Sequence, residues 1–330
     1  MTSRKIKTAL IGCDRYPYRF LYDYTKGLPF SLCAISDTPE IMTYFSERYA
    51  VPAQYTDYRE LLEKEKPEFV IAFPSQDQCK VASACLRAGA HVFCERPVAN
   101  NLDQAKELVA LQEETGRSVI ARLNRRFTPA FRMVKQVMET EEFGRPTMYL
   151  AKYHAQPYMD ERTFIWNHVI HHLDAARFLL GELELLAVDR IALDGQRLGY
   201  NILFRSQGGC AGVLQTSSLQ SGDYPVERVE ITGDARNLMI DNIRYVEYSR
   251  PGKTQKKLDD ITFEEGSDIL AWKPSNAHLD NANFYGFDIC FEYIAECIEK
   301  GTTPSHNMAD TIHTLELVQR LEDMVSVENL

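Results

Sequence analysis

The eight cysteines of this sequence include no C-x-x-C pair, which argues against a zinc ribbon and a thioredoxin-like redox motif. They sit mostly inside apolar runs and read as reduced core residues. No unbroken apolar stretch approaches the ~20 residues a membrane helix requires, so no membrane partner is expected. Basic residues are in deficit: 37 Lys and Arg face 47 Asp and Glu, giving a formal charge of -10 and a pI near 5.4. Nucleic-acid binding needs a concentrated basic surface, so that partner class is not expected either. The first residues, Met1-Thr2-Ser3-Arg4-Lys5-Ile6-Lys7, show no signal-peptide core, and the expected location is the cytoplasm. There is no internal repeat and no low-complexity tract.

A chain of 330 residues with 45% apolar content suggests about two domains with ample cores. Up to residue 123, strand patterns at 6–13, 30–36, 68–73, 91–94 and 118–122 alternate with helical patterns at 38–49, 57–65, 76–88 and 101–115. Such alternation predicts a parallel sheet with right-handed crossovers. After Asn124 the pattern changes. A helix near 129–140 leads into alternating strands at 147–156, 184–193, 199–206, 210–219, 227–233, 237–241 and 244–249. Turns at Gln207-Gly208-Gly209 and Gly233-Asp234 make this second sheet largely antiparallel. A helix at 167–180 lies within it, 250–281 reads as a long loop, and helices at 283–299 and 307–325 close the chain. The expected class is α/β plus α+β: a Rossmann-like domain over 1–123 and a substrate-binding, oligomerising domain over 124–330. The helix at 307–325 is expected to pack back near the first domain.

The first strand ends in Gly12-Cys13-Asp14-Arg15-Tyr16-Pro17, where a dinucleotide-binding loop would read G-x-G-x-x-G. Only the first glycine is present, and Asp14 puts a carboxylate where a pyrophosphate would lie. Arg15 or Arg19 is placed to offset that charge. Asp37 ends the second strand near the spacing at which an acid binds the adenosine ribose, which favours NAD over NADP. The competing reading is a helix cap, since Thr38-Pro39 follows. Tyr16, Tyr18, Tyr22 and Tyr24 read as the packing face of the first helix, and the run Glu63 to Lys66 as a solvated face.

Farther on, Ala88-Gly89-Ala90-His91-Val92-Phe93-Cys94-Glu95-Arg96-Pro97 closes the third crossover. Asn124-Arg125-Arg126-Phe127-x-Pro129-Ala130-Phe131 opens the second domain. His171-x-x-Asp174 precedes Leu179-Leu180-Gly181, and Cys297-Ile298-x-x-Gly301-x-x-Pro304 precedes the last helix. Together these resemble the Gfo/Idh/MocA family of oxidoreductases over nearly the whole chain. The resemblance implies an NAD(P)-dependent dehydrogenase or reductase acting on the CH–OH group of a sugar, polyol or sugar-derived acid. It also implies a homodimer or homotetramer through the open face of the second sheet.

The family's usual groups are a lysine in E-K-P and an Asp-x-x-x-His pair on a helix. The matching positions here are Arg96, Asn167 and His171. His171 remains a general acid or base, because its ordinary pKa lies near ~6.5. Arg96 supplies charge and a planar fork but exchanges no proton near neutral pH. Asn167 orients a hydroxyl without charge. Arg96 with Arg126 is arranged to grip a carboxylate, as an acidic substrate would require. Asn124, Arg126 and His172 are the expected substrate contacts. Gly12, Asp14, Arg15, Asp37, Pro74, Gln78, Glu95 and Arg96 are the expected cofactor contacts. Pro74-Ser75-Gln76-Asp77-Gln78 stands where the family usually has P-N-x-x-H. His168, His171, His172 and Asp174 lack a matching ligand cluster elsewhere, so no metal is expected. The altered loop and altered catalytic positions leave two alternatives: a non-catalytic ligand sensor or regulatory protein, and a lyase or hydrolase using NAD transiently.

Overall fold

The computed structural model describes residues 4–13, 18–74, 77–221, 225–251, 256–258, 261–263, 268–272 and 284–328. The chain divides into two compact units. The first comprises Met1–Leu123 with Phe287–Glu316, and the second comprises Asn124–Gly286 with Leu317–Leu330. Residues 287–316, grouped with the second domain in the sequence reading, thus lie in the first unit.

The first unit holds β1 (Ile6–Ile11), β2 (Phe30–Ser36), β3 (Ala53–Tyr55), β4 (Phe69–Ala72), β5 (His91–Cys94) and β6 (Val119–Ala121), in the spatial order β3-β2-β1-β4-β5-β6. All five pairings are parallel. Strands β4 and β5 are buried at every residue, which is why both read as unbroken apolar runs. Between strands lie α1 (Pro39–Tyr49), α2 (Tyr58–Glu65), α3 (Gln78–Arg87) and α4 (Leu102–Thr115). Side chains that cap turns in the sequence cap helices here: Thr38, Asp57, Asp77 and Asn101 each accept from a first-turn N–H. Strand β3 is new relative to the sequence reading. At three residues, none fully buried, it carries too little periodicity to be seen.

The segment after β1 differs from the expected helix in that Tyr18–Thr25 is a 3-10 helix. Tyr22 meets Tyr49 edge-on at 5.2 Å and Tyr24 stacks on Phe287 at 5.4 Å; Tyr16 lies outside the described residues. Phe291 packs edge-on against Phe30, Phe69 and Phe93, with ring centroids at 6.2, 6.2 and 5.0 Å. The core of the unit is built around these rings.

In the second unit, α5 (Pro129–Met138) precedes β7 (Met148–His154). One continuous helical stretch follows: α6 (Glu161–Phe164), a π turn at Ile165–Val169, and α7 (Ile170–Leu180). Then come β8 (Leu183–Ala192), β9 (Leu198–Ser206), β10 (Ala211–Ser217), β11 (Val226–Thr232), β12 (Asn237–Asp241) and β13 (Tyr245–Arg250). The region 250–281, expected as loop, contains three further strands: β14 (Lys256–Leu258), β15 (Ile261–Phe263) and β16 (Asp268–Trp272). The first two pair with each other, and β16 joins the sheet edge beside β13. Ile269 and Leu270 are both exposed, so β16 lacks the one-sided burial that gives a strand its period-2 signature. The eight strands run β16-β13-β12-β11-β7-β10-β9-β8, antiparallel except for the parallel pair β7 and β10. Among the described residues, the remaining helices are α8 (Phe287–Lys300) and α9 (Met308–Glu328), and the boundary between units falls inside α9.

Gly12 follows β1 with φ of +67°, and a Cβ built on it would lie 2.4 Å from the Pro74 Cα. The chain after β1 and the chain after β4 can approach this closely only with glycine at that position. Gly12→Ala is therefore expected to destabilise the first unit by about 2–4 kcal/mol, the sum of left-handed backbone strain and overpacking. Denaturant unfolding followed by far-UV circular dichroism checks this; an unchanged midpoint would show that the two segments move apart freely.

Candidate active-site residues

The first unit collects its candidate residues at one edge of the parallel sheet. Gly12, Asp37, Pro74, Glu95 and Arg122 each follow the carboxyl end of a strand by three residues or fewer. Open parallel sheets bind ligands at this edge, because strand and crossover geometry opens a crevice there. Asp37 accepts N–H groups from Cys13 at 2.5 Å and from Thr38 at 2.7 Å, one on each oxygen. The helix cap is Thr38, so the capping alternative for Asp37 is replaced by a carboxylate turned to the backbone after β1. Asp14 and Arg15 lie outside the described residues.

Glu95 is held between two guanidinium groups. Arg96 donates to it from its backbone N–H at 2.9 Å and from its side chain at 2.5 Å, and Arg122 donates at 2.9 and 3.0 Å. All three side chains are largely buried. Gln78, near the start of α3, donates its side-chain amide to the Glu95 carbonyl. Gln78 and Glu95 thus set the backbone and side chain of Arg96, whose bond to Pro97 is cis.

In the second unit the candidates lie on the helical stretch 161–180. Asn167 falls within the π turn and His171 in the first turn of α7. An inserted π turn is uncommon and concentrates at functional sites, because it re-aims the residues around it. His171 is buried, and Asn167 is partly exposed. The neighbouring histidines are committed elsewhere. His168 stacks on Tyr153 at 3.9 Å, with its Nε2 3.2 Å from the Tyr153 carbonyl and its Nδ1 3.3 Å from the Tyr158 hydroxyl. The carbonyl can only accept, so Nε2 carries the proton.

The three expected substrate contacts are all bonded within this unit. Asn124 donates to the Tyr285 carbonyl at 2.9 Å. Arg126 closes its fork on Asp174 at 2.8 and 2.5 Å, so the carboxylate it grips belongs to the protein itself. His172 is fully buried, 3.3 Å from Glu227. Among the described residues no group of three His, Cys, Asp or Glu is arranged to hold a metal ion.

Sequence reasoning missed Arg122, Arg125 and Glu227. Arg125 pairs with Glu227 through two bonds, at 2.8 and 2.7 Å. A signal for Glu227 exists: in Val226-Glu227-Arg228-Val229-Glu230-Ile231 the alternation places 227 with 229 and 231, a charge in the inward register.

Two expected outcomes follow from this geometry. Arg126→Ala removes the bidentate partner of the buried Asp174 and should cost about 3–5 kcal/mol, read by thermal or denaturant unfolding. Burial holds His168 down to about 3, against an ordinary value of 6.5, while its bond to Tyr153 opposes the shift. Between those values the unfolded chain takes a proton that the folded chain refuses, so this contribution to stability is full above 6.5 and is lost as pH falls to about 3. The slope of melting temperature against pH in that window should flatten in His168→Phe, which keeps the ring stack.

Known proteins share this fold. Residues 6–122 match the family model GFO_IDH_MocA, described as an oxidoreductase family with an NAD-binding Rossmann fold. A myo-inositol 2-dehydrogenase of Thermotoga maritima is 27% identical over 229 residues, 64% of this chain and 68% of the relative. A D-apiose dehydrogenase of Paraburkholderia graminis is 25% identical over 336 residues, 96% of this chain and 87% of the relative. The solved structure of a dehydrogenase from Chromobacterium violaceum superposes with a TM-score of 0.85 at 16% identity, covering 98% of this chain and 96% of that one. The resemblance to the Gfo/Idh/MocA oxidoreductases is thus matched by a family model over residues 6–122.

Proposed function

We propose that the protein is an NAD(P)-dependent oxidoreductase that moves a hydride to or from a sugar, polyol or sugar-derived acid. The observation that carries this reading is His171, one of three histidines on this helical stretch, buried in the first turn of α7 directly after a π turn. It is the one histidine of the three in a position matching the family's catalytic residue.

The residues at the sheet edge fit a dinucleotide. Gly12 and Pro74 approach closely, and Asp37 presents a carboxylate oriented by two backbone N–H groups. When bound, the nicotinamide ring supplies or accepts the hydride. Asp37 would hold ribose hydroxyls and repel a 2′-phosphate, which selects NAD over NADP. His171 takes the hydroxyl proton during oxidation and returns it during reduction. Arg96, oriented by Glu95, stabilises negative charge on the substrate oxygen without exchanging a proton. Asn167 orients the hydroxyl.

A homo-oligomer is part of the same proposal. Leu150, Val213 and Leu203 are directly paired across β7, β10 and β9 on the outer face of the second sheet, where Leu150 is 41% and Leu203 45% exposed. Met148 and Leu186 extend the apolar strip. A contiguous apolar patch of this kind marks an association surface.

Calorimetric titration should show saturable binding of NADH, tighter than NADPH by at least tenfold, with Asp37→Ser narrowing the gap. Binding of neither cofactor would sink the proposal. His171→Ala should lower kcat by about 10²–10⁴ with KM changed only a few-fold. In sedimentation velocity, Leu203→Glu should shift the protein to a smaller species; an unchanged sedimentation coefficient would place the interface elsewhere.

A further inference from the structure

Helix α7 is fixed in rotation by polar bonds on either side of His171. A carboxylate in the apolar interior costs several kcal/mol unless it is paired and hydrogen-bonded. Glu227, inward on β11, meets that requirement with two partners: the fork of Arg125, from the turn at Asn124–Phe127, and Nε2 of His172 on α7. Nε2 of the His172 ring stands 3.3 Å from this carboxylate, which can only accept, so the tautomer that suits the contact carries its proton on Nε2. That ring packs on Tyr153 of β7 at 4.3 Å, and one turn earlier His168 is bonded to the Tyr153 carbonyl. The residue after Arg125, Arg126, closes on Asp174, two positions beyond His172. The same short turn therefore braces α7 at two positions, once directly and once through Glu227.

Successive helix residues are about 100° apart around the axis, so the direction in which position 172 is held dictates where position 171 points. We propose that Glu227 is a positioning residue for His171: by holding His172 in one tautomer and one orientation, the Arg125–Glu227 pair sets the rotation of α7 that presents His171. This rests on the reading of His171 as the acid–base group.

The groups facing His172 are Glu227 from β11, Arg125 from the 124–127 turn, the Tyr153 ring from β7 and His168 from its own helical stretch. Burial pushes the His172 imidazole down and Glu227 pulls it up, with burial prevailing. Burial alone would raise Glu227, but Arg125 and His172 outweigh it and hold the carboxyl at about 2. The pair is thus ionised and His172 neutral at working pH, so His172 orients its neighbour without competing for the proton.

The test uses the full chain labelled with ¹⁵N-histidine, together with steady-state kinetics on NAD(P) and a polyol. In the wild type, His172 should appear as the Nε2–H tautomer and should not titrate between about pH 5 and 9. The double variant Arg125→Met with Glu227→Met removes both charges while keeping bulk, so it should remain folded. It should shift the His171 resonances and lower kcat at least tenfold, with cofactor KM within twofold. Glu227→Asp keeps the charge but is one methylene short. It should give the same signature, and it serves as the deciding variant if the double variant does not fold. Unchanged His171 resonances with kcat within twofold, in either folded variant, would overturn the proposal and leave Glu227 with a purely structural role. A wild type that binds no cofactor and turns over no substrate would overturn the dehydrogenase reading instead. The resonance shift of His171 on altering Glu227 would still decide the positioning claim.

Discussion

One buried carboxylate organises the second unit. Glu227 sits where the alternation of β11 demands an apolar residue, and a charge there persists only if protein groups replace the water it has lost. Arg125 and His172 do so from two different elements, and the requirement ties a turn, a strand and a helix together. Hydrophobic burial alone would tolerate some slippage of α7 over the sheet, because apolar contacts are not directional. A bidentate ion pair does not tolerate it. The adjacent Arg126–Asp174 pair adds a second fixed point on the same helix.

The first unit solves a related problem at the edge of its sheet. Parallel strands leave their carboxyl ends facing a common edge, and the residues that follow them decide what can bind there. Arg96 stands where a lysine would be the usual choice. Its fixed positive charge is balanced and oriented by Glu95, which is itself shared with Arg122 and linked to α3 through Gln78. An arginine in this frame is a rigid electrostatic element rather than a proton carrier.

Much of the architecture was legible in the residues. Central strands β4 and β5 are buried on both faces and were visible as unbroken apolar runs; antiparallel strands of the second sheet were visible by alternation. What escaped had weak local signals. Strand β3 is three residues long, β16 is an edge strand with exposed apolar residues, and the segment after β1 is a 3-10 helix whose tyrosines pack singly on distant rings.

The candidate site divides along the same line. The order of motifs along the chain singled out Asp37, Arg96 and His171 as candidates, because strand ends and helix positions are local properties that a sequence displays directly. It could not tell which polar residues were already bonded. Asn124, Arg126 and His172 are polar, near the right helix and plausible as ligand contacts, yet each is engaged by a partner: Tyr285, Asp174 and Glu227 in turn. Those partners lie 161, 48 and 55 positions away along the chain. Sequence alone determined the element types, their order and the chemical kinds of residue available. Only the tertiary structure decided which side chains face each other, because pairing across such separations depends on sheet register and helix rotation.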